Sequence, residues 1–213
     1  MESSLKNMVL TLFIITLVSS AAVGVIYQVT KEPISLAKQA KIENALSKVL
    51  PTFDNNPTEQ QSEVEIDGGK VVIYTAAYQG AVVGYAVETF TNNGFSGLIK
   101  LMVGFKTDGS INKIDVLQHN ETPGLGNKIE PSKSDFSVQF EGKNPADYKL
   151  AVKKDGGDVD AITASTISSR AYSEAVQRAY NALQNSIQTQ SAAQVENLEA
   201  TESNQNEKGE GNE

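Results

Sequence analysis

The amino-acid sequence predicts an α+β domain behind a single N-terminal transmembrane helix. An uncharged apolar run, residues 8–27, comes first. Two pairs of strand-like segments, each joined by a short turn signal, follow in the middle of the chain. An amphipathic helical pattern closes the folded part. Strands in hairpins followed by a helix are typical of an α+β fold with a mainly antiparallel sheet and flanking helices.

The apolar run MVLTLFIITLVSSAAVGVIY predicts a transmembrane helix over residues 8–29, after a short N-terminal segment, residues 1–7. Twenty residues at 1.5 Å rise give roughly 30 Å, the thickness of a bilayer hydrocarbon core. The small residues of VSSAAVG leave a cleaved signal peptide as the alternative, but the run is longer than the apolar part of such a peptide. We therefore expect an uncleaved, single-pass anchor in contact with membrane lipid. Lysines flank the span on both sides, so charge does not decide its orientation.

Residues 30–51 predict a helix that links the membrane span to the domain. Apolar residues recur at roughly helical spacing from Ile34 to Leu50. Pro33 suits the first turn of a helix, because the nitrogen of proline carries no hydrogen and the first turn needs none. Pro51 is expected to end the helix.

A folded domain is predicted over residues 52–189. It opens with a polar loop, residues 52–63. Two hairpins are then predicted, with strands over residues 70–78 and 81–90 around Gln79-Gly80, and over residues 97–105 and 111–118 around residues 107–110. A further strand is predicted in DYKLAVKK, residues 147–154. An amphipathic helix is predicted over residues 169–187.

The composition excludes several classes of function. A formal charge of -8 over 213 residues argues against nucleic-acid binding, which depends on Lys and Arg. The chain has no cysteine, which excludes thiolate nucleophiles and cysteine-ligated zinc or iron–sulfur sites, and its single histidine argues against a multi-histidine metal site. Residues 190–213 hold six glutamates and one lysine with few apolar residues, so we expect a disordered acidic tail there.

The loop QHNETPGLGNKIE, residues 118–130, follows directly after a predicted strand. Its proline and two glycines allow the backbone to approach another surface closely. His119, the single histidine, and Glu121 lie in the same few residues. An ordinary connecting loop with an unused histidine is the plain alternative to a binding loop.

The stretch DVDAITASTISS, residues 158–169, gathers hydroxyl side chains ahead of the last predicted helix. They belong to Thr163, Ser165, Thr166, Ser168 and Ser169. A helix N-terminus attracts anions through its free N–H groups and its dipole, and hydroxyl groups add donors. A simple N-cap, worth about 1 kcal/mol, needs only one hydroxyl. The stretch therefore predicts an anion site, and its lack of glycine and lysine excludes a P-loop.

Residues 160–166, DAITAST, resemble the flavinylation motif of the FMN-binding domain, usually written D-x-x-S/T-G-A-T. The last threonine of that motif carries FMN through a phosphoester bond, which implies Thr166 as the attachment residue here. Ala164 stands where glycine is usual, and Ser165 where alanine is usual. Both replacements are small, so we expect the pocket to be kept. Ser165 places a second hydroxyl beside the implied acceptor.

Two further stretches resemble the G subunit of the Rnf electron-transport complex. HNETPGLGNKI is similar to the H-x-E-T-P-G-L-G signature of that family, and GFSGLIKLMVGF to its glycine–aromatic stretch before a strand. A membrane span followed by TKEPI also matches, and the resemblance covers roughly residues 5–188. The C subunit of the sodium-translocating NADH:quinone oxidoreductase shares two of these motifs and is the alternative. The histidine before ETPGLG favours the Rnf family.

The resemblance implies a redox subunit of an ion-translocating oxidoreductase complex that passes electrons between ferredoxin and NAD, with no catalysis by the isolated chain. It implies covalent FMN at Thr166, installed by a separate flavin transferase that recognises Asp160. The further FMN-binding residues expected are Thr163, Ala164, Ser165, His119, Glu121, Thr122, Pro123, Gly124, Leu125 and Gly126. The resemblance also implies a place in the cytoplasmic (inner) membrane beside the other Rnf subunits, with the FMN domain on the periplasmic side.

Two interpretations from other functional classes stay open at this point. One is a membrane-anchored extracytoplasmic binding domain without flavin, whose hydroxyl cluster holds a phosphate or a sugar. The other is a hydrolase with a serine or threonine nucleophile. The single histidine and the lack of a G-x-S-x-G elbow argue against the hydrolase.

Overall fold

The computed structural model describes the backbone of residues 5–66 and 68–206, and side chains up to residue 189. The chain divides into two compact units, Met1–Glu43 and Asn44–Glu213. The predicted fold class is confirmed: an N-terminal apolar helix is followed by a five-stranded antiparallel sheet and a C-terminal helix.

The N-terminal unit is helical. Helix α1 runs over Leu5–Val49, and within the described part of the chain it is the one helix long and apolar enough to be a candidate membrane span. The hydroxyl groups of Thr11, Thr16 and Thr30 donate to carbonyl oxygens three or four residues earlier in the helix. These bonds give each threonine hydroxyl a partner inside the helix, which matters because the hydrocarbon core of a bilayer offers no hydrogen-bond partner.

Pro33 lies inside α1, so the prediction that it belongs to the first turn of a separate helix is wrong. A proline inside a helix removes one hydrogen bond and bends the axis, but it does not prevent the flanking turns from being helical. The apolar segment before Pro33 and the segment after it both favour a helix, so the chain is helical on both sides of the proline.

The sheet is a meander in which neighbours in sequence are neighbours in space. Its strands are β1 (Gln61–Ile66), β2 (Gly69–Tyr78), β3 (Ala81–Gly94), β4 (Gly97–Lys106) and β5 (Ile111–His119). Both predicted hairpins are confirmed. At the β2–β3 turn Gln79 and Gly80 have φ of 52° and 81°, and two consecutive positive values suit the twist of a tight hairpin.

Strand β1 lies where the sequence predicts the end of a polar loop, so that part of the prediction is wrong. It pairs with β2 along Gln61 to Ile66 at the edge of the sheet, and most of its side chains are exposed. Charged residues are common on edge strands because they discourage pairing with other chains. The strand therefore lacks the apolar alternation that would identify it.

Helix α2 and the last residues of α1, from Asn44 onward, pack on opposite faces of the sheet. Helix α2 packs on one face, where the Thr89 hydroxyl donates to the carbonyl of Ala175 at 3.1 Å. The end of α1 packs on the other face, where Val49 lies against Gly104 and accepts a hydrogen bond from the Asn112 side chain at 2.7 Å. The core between α2 and the sheet includes Ile99, Leu101, Val103, Phe105, Tyr172, Val176 and Leu183.

The chain between β5 and α2 is irregular, and the strand predicted over residues 147–154 is not formed. This segment makes an isolated parallel bridge between Val152 and Val159, and a 3₁₀ turn at Lys153–Asp155 lies between these two residues. Its alternating Leu150 and Val152 are buried, which explains the strand-like pattern. The backbone bonds inside a local loop instead of joining the sheet.

Helix α2 runs over Thr166–Asn206 and confirms the predicted amphipathic helix, with a start three residues earlier than expected. It continues into the segment 190–213 for which the sequence predicts disorder. Residues 207–213 lie outside the described residues, and the disorder of this segment stays a prediction.

Candidate functional site

The two motifs singled out in the sequence meet at one cavity of about 320 Å³. Three segments form it: the β3–β4 turn, the loop after β5 and the start of α2. The lining residues are Phe95, Glu121, Thr122, Leu125, Gly126, Ala164, Ser165, Thr166, Ile167 and Ser168. Seven of the expected site residues are therefore together, although the two motifs are about 40 positions apart in the sequence.

Glu121 ties the three segments together. Its side chain is almost fully buried, and its Oε1 accepts a hydrogen bond from the Ser96 N–H at 3.0 Å. Its Oε2 accepts one from the Ser168 hydroxyl at 2.5 Å. Both carboxylate oxygens are therefore used inside the protein. A Cβ at Gly94 or Gly126 would collide with these oxygens, so both positions require glycine.

His119 lies outside the cavity lining. Its Nδ1 accepts the backbone N–H of Glu121 at 3.0 Å, and its Nε2 faces Glu130 Oε1 at 2.8 Å. This network places the ring proton on Nε2, where it is donated to Glu130. The bond holds the pKa of the Glu130 carboxyl below its ordinary value. The position of His119 supports a role in shaping the loop.

Hydrogen bonds of a serine hydroxyl group fix the backbone at the start of α2. Ser169 Oγ accepts the N–H of Ile162 at 2.9 Å and donates to the carbonyl of Ser165 at 3.0 Å. Ala164 has φ of 61°, in the left-handed region that favours glycine. The motif it resembles usually has glycine at this position, and the backbone conformation supplies the physical reason.

Ser165 and Thr166 are placed differently although they are adjacent. The Ser165 side chain is 7% exposed, and its Oγ is buried with no hydrogen-bond partner in the described structure. Buried hydroxyl groups usually have a partner. Thr166 is partly exposed and is the first residue of α2, where the N–H groups have no partner within the helix. An unsatisfied hydroxyl and free amides at one place favour an anionic ligand.

Four other expected site residues lie outside the cavity lining. Asp160 is exposed, and its Oδ2 accepts from Lys153 Nζ at 2.7 Å. Thr163, Pro123 and Gly124 are exposed as well. Gly124 has φ of 78° and donates its N–H to Asn127, which shapes the turn of the loop.

A larger groove, of about 750 Å³, runs along α2 and contains none of the motif residues. Its charged side chains include two ion pairs, Arg170 with Asp155 at 2.6 Å and Arg178 with Glu174 at 3.1 Å. Both guanidinium groups therefore already have a carboxylate partner within the protein. The smaller cavity is the better candidate of the two because it contains residues of both motifs.

Comparison with known proteins points to the same part of the chain as the site. Residues 94–181 match the model of the FMN-binding domain, a range that includes every lining residue of the cavity. The chain is 37% identical over 180 residues to the G subunit of the ion-translocating oxidoreductase complex of Shewanella oneidensis, covering 80% of this chain and 85% of the relative. The proteins of the same name from Vibrio atlanticus and Aliivibrio fischeri are 35% and 34% identical, over 84% and 89% of this chain and 90% and 96% of the relatives.

The chain belongs to this family of G subunits. The side chains that line the cavity of this family member are chemically suited to flavin mononucleotide. The end at α2 offers the Ser165 hydroxyl and the first amides of the helix to a phosphate. The mouth offers the apolar side chains of Phe95, Leu125 and Ile167 to a flat aromatic ring.

The sequence analysis did not identify three residues that line the cavity of this G-subunit family member: Phe95, Ile167 and Ser168. Phe95 had a signal, since it lies in a glycine–aromatic stretch typical of the family. Ile167 and Ser168 follow directly after the motif, but their contacts depend on the turn of α2. Sequence spacing alone did not show which hydroxyl groups face the loop.

Proposed function

We propose that this chain is the electron-carrying G subunit of an Rnf-type ion-translocating oxidoreductase complex, and that FMN joined to Thr166 by a phosphoester carries the electrons. One observation supports the attachment most: the start of α2 combines a partly exposed Thr166 with a buried, unpartnered Ser165 hydroxyl in one cavity. Bound flavin would supply one- and two-electron transfer. The chain itself has no cysteine that could ligate an iron–sulfur cluster for this purpose.

Exposure supports Thr166 as the acceptor over Ser165. A transferase must reach the hydroxyl oxygen, and the Ser165 oxygen is buried whereas the Thr166 side chain is partly exposed. Ser165 is better placed to donate its hydroxyl hydrogen to a phosphate oxygen. The dipole of α2 adds a favourable interaction with the negative charge, typically about 0.3–1 kcal/mol.

The attachment reaction requires a second protein and FAD. The Thr166 hydroxyl oxygen forms a bond to the phosphorus of the FMN half, and the pyrophosphate bond of FAD breaks. AMP leaves, and the hydroxyl proton passes to a base of the flavin transferase. We infer that Asp160 is recognised by the transferase, since its carboxylate is exposed beside the motif and held by Lys153.

Helix α1 would place the protein in the cytoplasmic membrane as a single-pass subunit in contact with lipid. The relatives are named as subunits of an ion-translocating oxidoreductase complex, which supports partner subunits around this chain and coupling to ion movement. We infer that the FMN domain lies on the periplasmic side. Labelling of a cysteine introduced at an exposed domain position, with a reagent that does not cross the membrane, tests that side.

The attachment is tested by producing the full chain together with its flavin transferase. We expect flavin fluorescence that stays with the protein band in a denaturing gel. Thr166→Ala should remove the fluorescent band, because it removes the hydroxyl oxygen to which the flavin phosphate is proposed to be joined. Ser165→Ala is the matched control and should keep it. Fluorescence lost in Ser165→Ala and kept in Thr166→Ala would assign the acceptor to Ser165, and a colourless wild-type protein would refute the flavin.

A further inference from the structure

Three lysines lie on one face of α1, in the turns that follow the predicted membrane span. Lys31, Lys38 and Lys41 are separated by seven and then three positions, spacings that place side chains above one another on a helix. All three residues are exposed. We call these three residues the lysine stripe. It lies entirely within the N-terminal unit of the chain, Met1–Glu43.

The lysine stripe has no acidic partner on its own helix. A helix exposed to water commonly stabilises its lysines with a glutamate three or four positions away. The two glutamates of this segment, Glu32 and Glu43, stand at neither spacing from any lysine of the stripe. Glu43 instead accepts a hydrogen bond from the Gln39 side chain at 3.0 Å. Among the described residues the stripe forms no ion pair, so the repulsion between its lysines is not offset inside the protein.

The direction of the side chains brings the lysine stripe toward the bilayer. In an α-helix every Cα–Cβ bond tilts toward the N-terminus of the helix, and the predicted span forms the N-terminal part of α1. At 1.5 Å per residue, Lys31 stands about 3 Å and Lys38 about 14 Å beyond the last residue of the span.

A lysine side chain reaches about 6 Å along the helix and keeps its ammonium group in a polar layer. The headgroup layer is about 5–8 Å deep on each side of a bilayer, so the ammonium groups of Lys31 and Lys38 both reach it. The ammonium group of Lys41, one turn further, lies within about one Debye length of that layer. The whole stripe therefore acts on the membrane surface.

The usual role of lysines beside a membrane span does not explain the stripe. Lysines are favoured in short cytoplasmic segments, where they set the orientation of the span. In the proposed orientation the stripe lies on the opposite, periplasmic side. Three lysines on one face there require a local binding partner as their reason.

We propose that the lysine stripe binds the phosphate groups of anionic lipids in the leaflet from which the domain emerges. This inference rests on the membrane placement in the proposed function and is independent of the flavin. The ammonium groups donate hydrogen bonds to phosphate oxygens, and phosphatidylglycerol, whose headgroup carries one net negative charge, is the simplest such lipid. The protein as a whole carries a formal charge of -8, so attraction to an anionic surface requires a local basic patch.

The experiment uses the full chain reconstituted in phosphatidylcholine vesicles. Because the chain has no cysteine, Ala37→Cys gives a single site for a fluorescent donor, at an exposed position beside the stripe. Energy transfer is measured to one acceptor dye carried on the acyl chain of either phosphatidylglycerol or phosphatidylcholine, at equal acceptor density. We expect about twofold or greater enrichment of phosphatidylglycerol around the donor at about 0.1 M salt, and none at about 1 M salt.

Glutamine in place of the whole stripe (Lys31→Gln, Lys38→Gln, Lys41→Gln) should abolish the enrichment. The matched control makes the same change of net charge at three exposed lysines of the domain: Lys106→Gln, Lys113→Gln and Lys133→Gln. The control should keep the wild-type enrichment. The salt dependence of the wild-type chain needs no variant, so the proposal stays testable if the stripe variant does not fold.

Equal energy transfer to both lipids in the wild-type chain would overturn the inference, and so would an enrichment that survives in the stripe variant. If the wild-type chain shows no lipid preference but the stripe variant no longer co-purifies with the other subunits, the stripe binds an acidic partner subunit instead. A chain that an alkaline wash releases from the vesicles would overturn the membrane placement and this inference together. Flavin fluorescence in a denaturing gel tests the attachment at Thr166 separately, and the stripe variant should keep it.

Discussion

Ala164 stands in a left-handed backbone conformation at the entrance to α2, with φ of 61°. An L-residue with a Cβ loses about 1–2 kcal/mol in this conformation, whereas glycine does not. The conformation is needed here because it turns the chain so that Ser165 becomes buried and Thr166 begins the helix. The strain is therefore located at the site itself, as is common at binding sites.

Ala164→Gly should raise the free energy of unfolding by up to about 1 kcal/mol, because relief of the strain exceeds the extra entropy that glycine gives the unfolded chain. Denaturant unfolding of the full chain in detergent measures the change. Ala161→Gly is the control, since Ala161 does not have a positive φ, and it should not gain stability. If Ala164→Gly is no more stable than wild type, the backbone conformation of Ala164 does not cost the protein measurable stability.

At the scale of elements, the end of α1 lies close against β4. Gly104 allows this approach, because a Cβ there would collide with the backbone carbonyl of Val49. Lys48 adds an ion pair with Asp115 at 3.1 Å. Its own side chain is largely exposed, so this pair contributes little to stability. Packing of Ala45, Leu46 and Val49 is thus the main attachment of this helix end.

Gly104→Ala should destabilise the domain by about 1–3 kcal/mol, the usual cost of inserting a methyl group into a packed interface. A lower denaturant midpoint, followed by far-UV circular dichroism, would measure it. Gly24→Ala provides the comparison, because a Cβ at Gly24 has nothing within 4 Å. If both variants unfold at the wild-type midpoint, the contact between Val49 and Gly104 is not close in solution.

At the scale of the whole molecule, the chain consists of two units whose roles differ. Residues of α1 up to Glu43 form one unit, with exposed apolar side chains from Met8 to Val29. The second unit begins at Asn44 and contains the sheet, α2 and the cavity. The site therefore needs no residue of the candidate membrane span.

Deletion of residues 1–43 should give a domain that stays in solution without detergent, because it removes the exposed apolar run and keeps Ala45, Leu46 and Val49. Size-exclusion chromatography in detergent-free buffer, with flavin loading by purified transferase, measures the outcome. Deletion of residues 1–51 should be less stable, since it also removes the helix end that covers one face of the sheet. A 1–43 deletion that aggregates or takes no flavin would show that the span supports the domain.

The sequence predicted the hairpins and α2 because their signals are local. The Gln79-Gly80 turn and the alternation beside it need no distant partner to be recognised. The sequence failed at β1 and at residues 147–154 because strand pairing depends on what lies alongside. QSEVEI pairs although it is polar, and the buried Leu150 and Val152 belong to a loop.

The sequence by itself determined the apolar span, the two motifs, and Thr166 as the residue implied for FMN attachment. Only the tertiary structure decided where each motif residue lies and what it contacts. It placed His119 on Glu130 and used both oxygens of Glu121 as internal acceptors. It left the Ser165 hydroxyl unpartnered and brought Phe95 to the cavity. The physical reason is that burial and hydrogen bonding between segments far apart in the chain arise only when the sheet and α2 pack together.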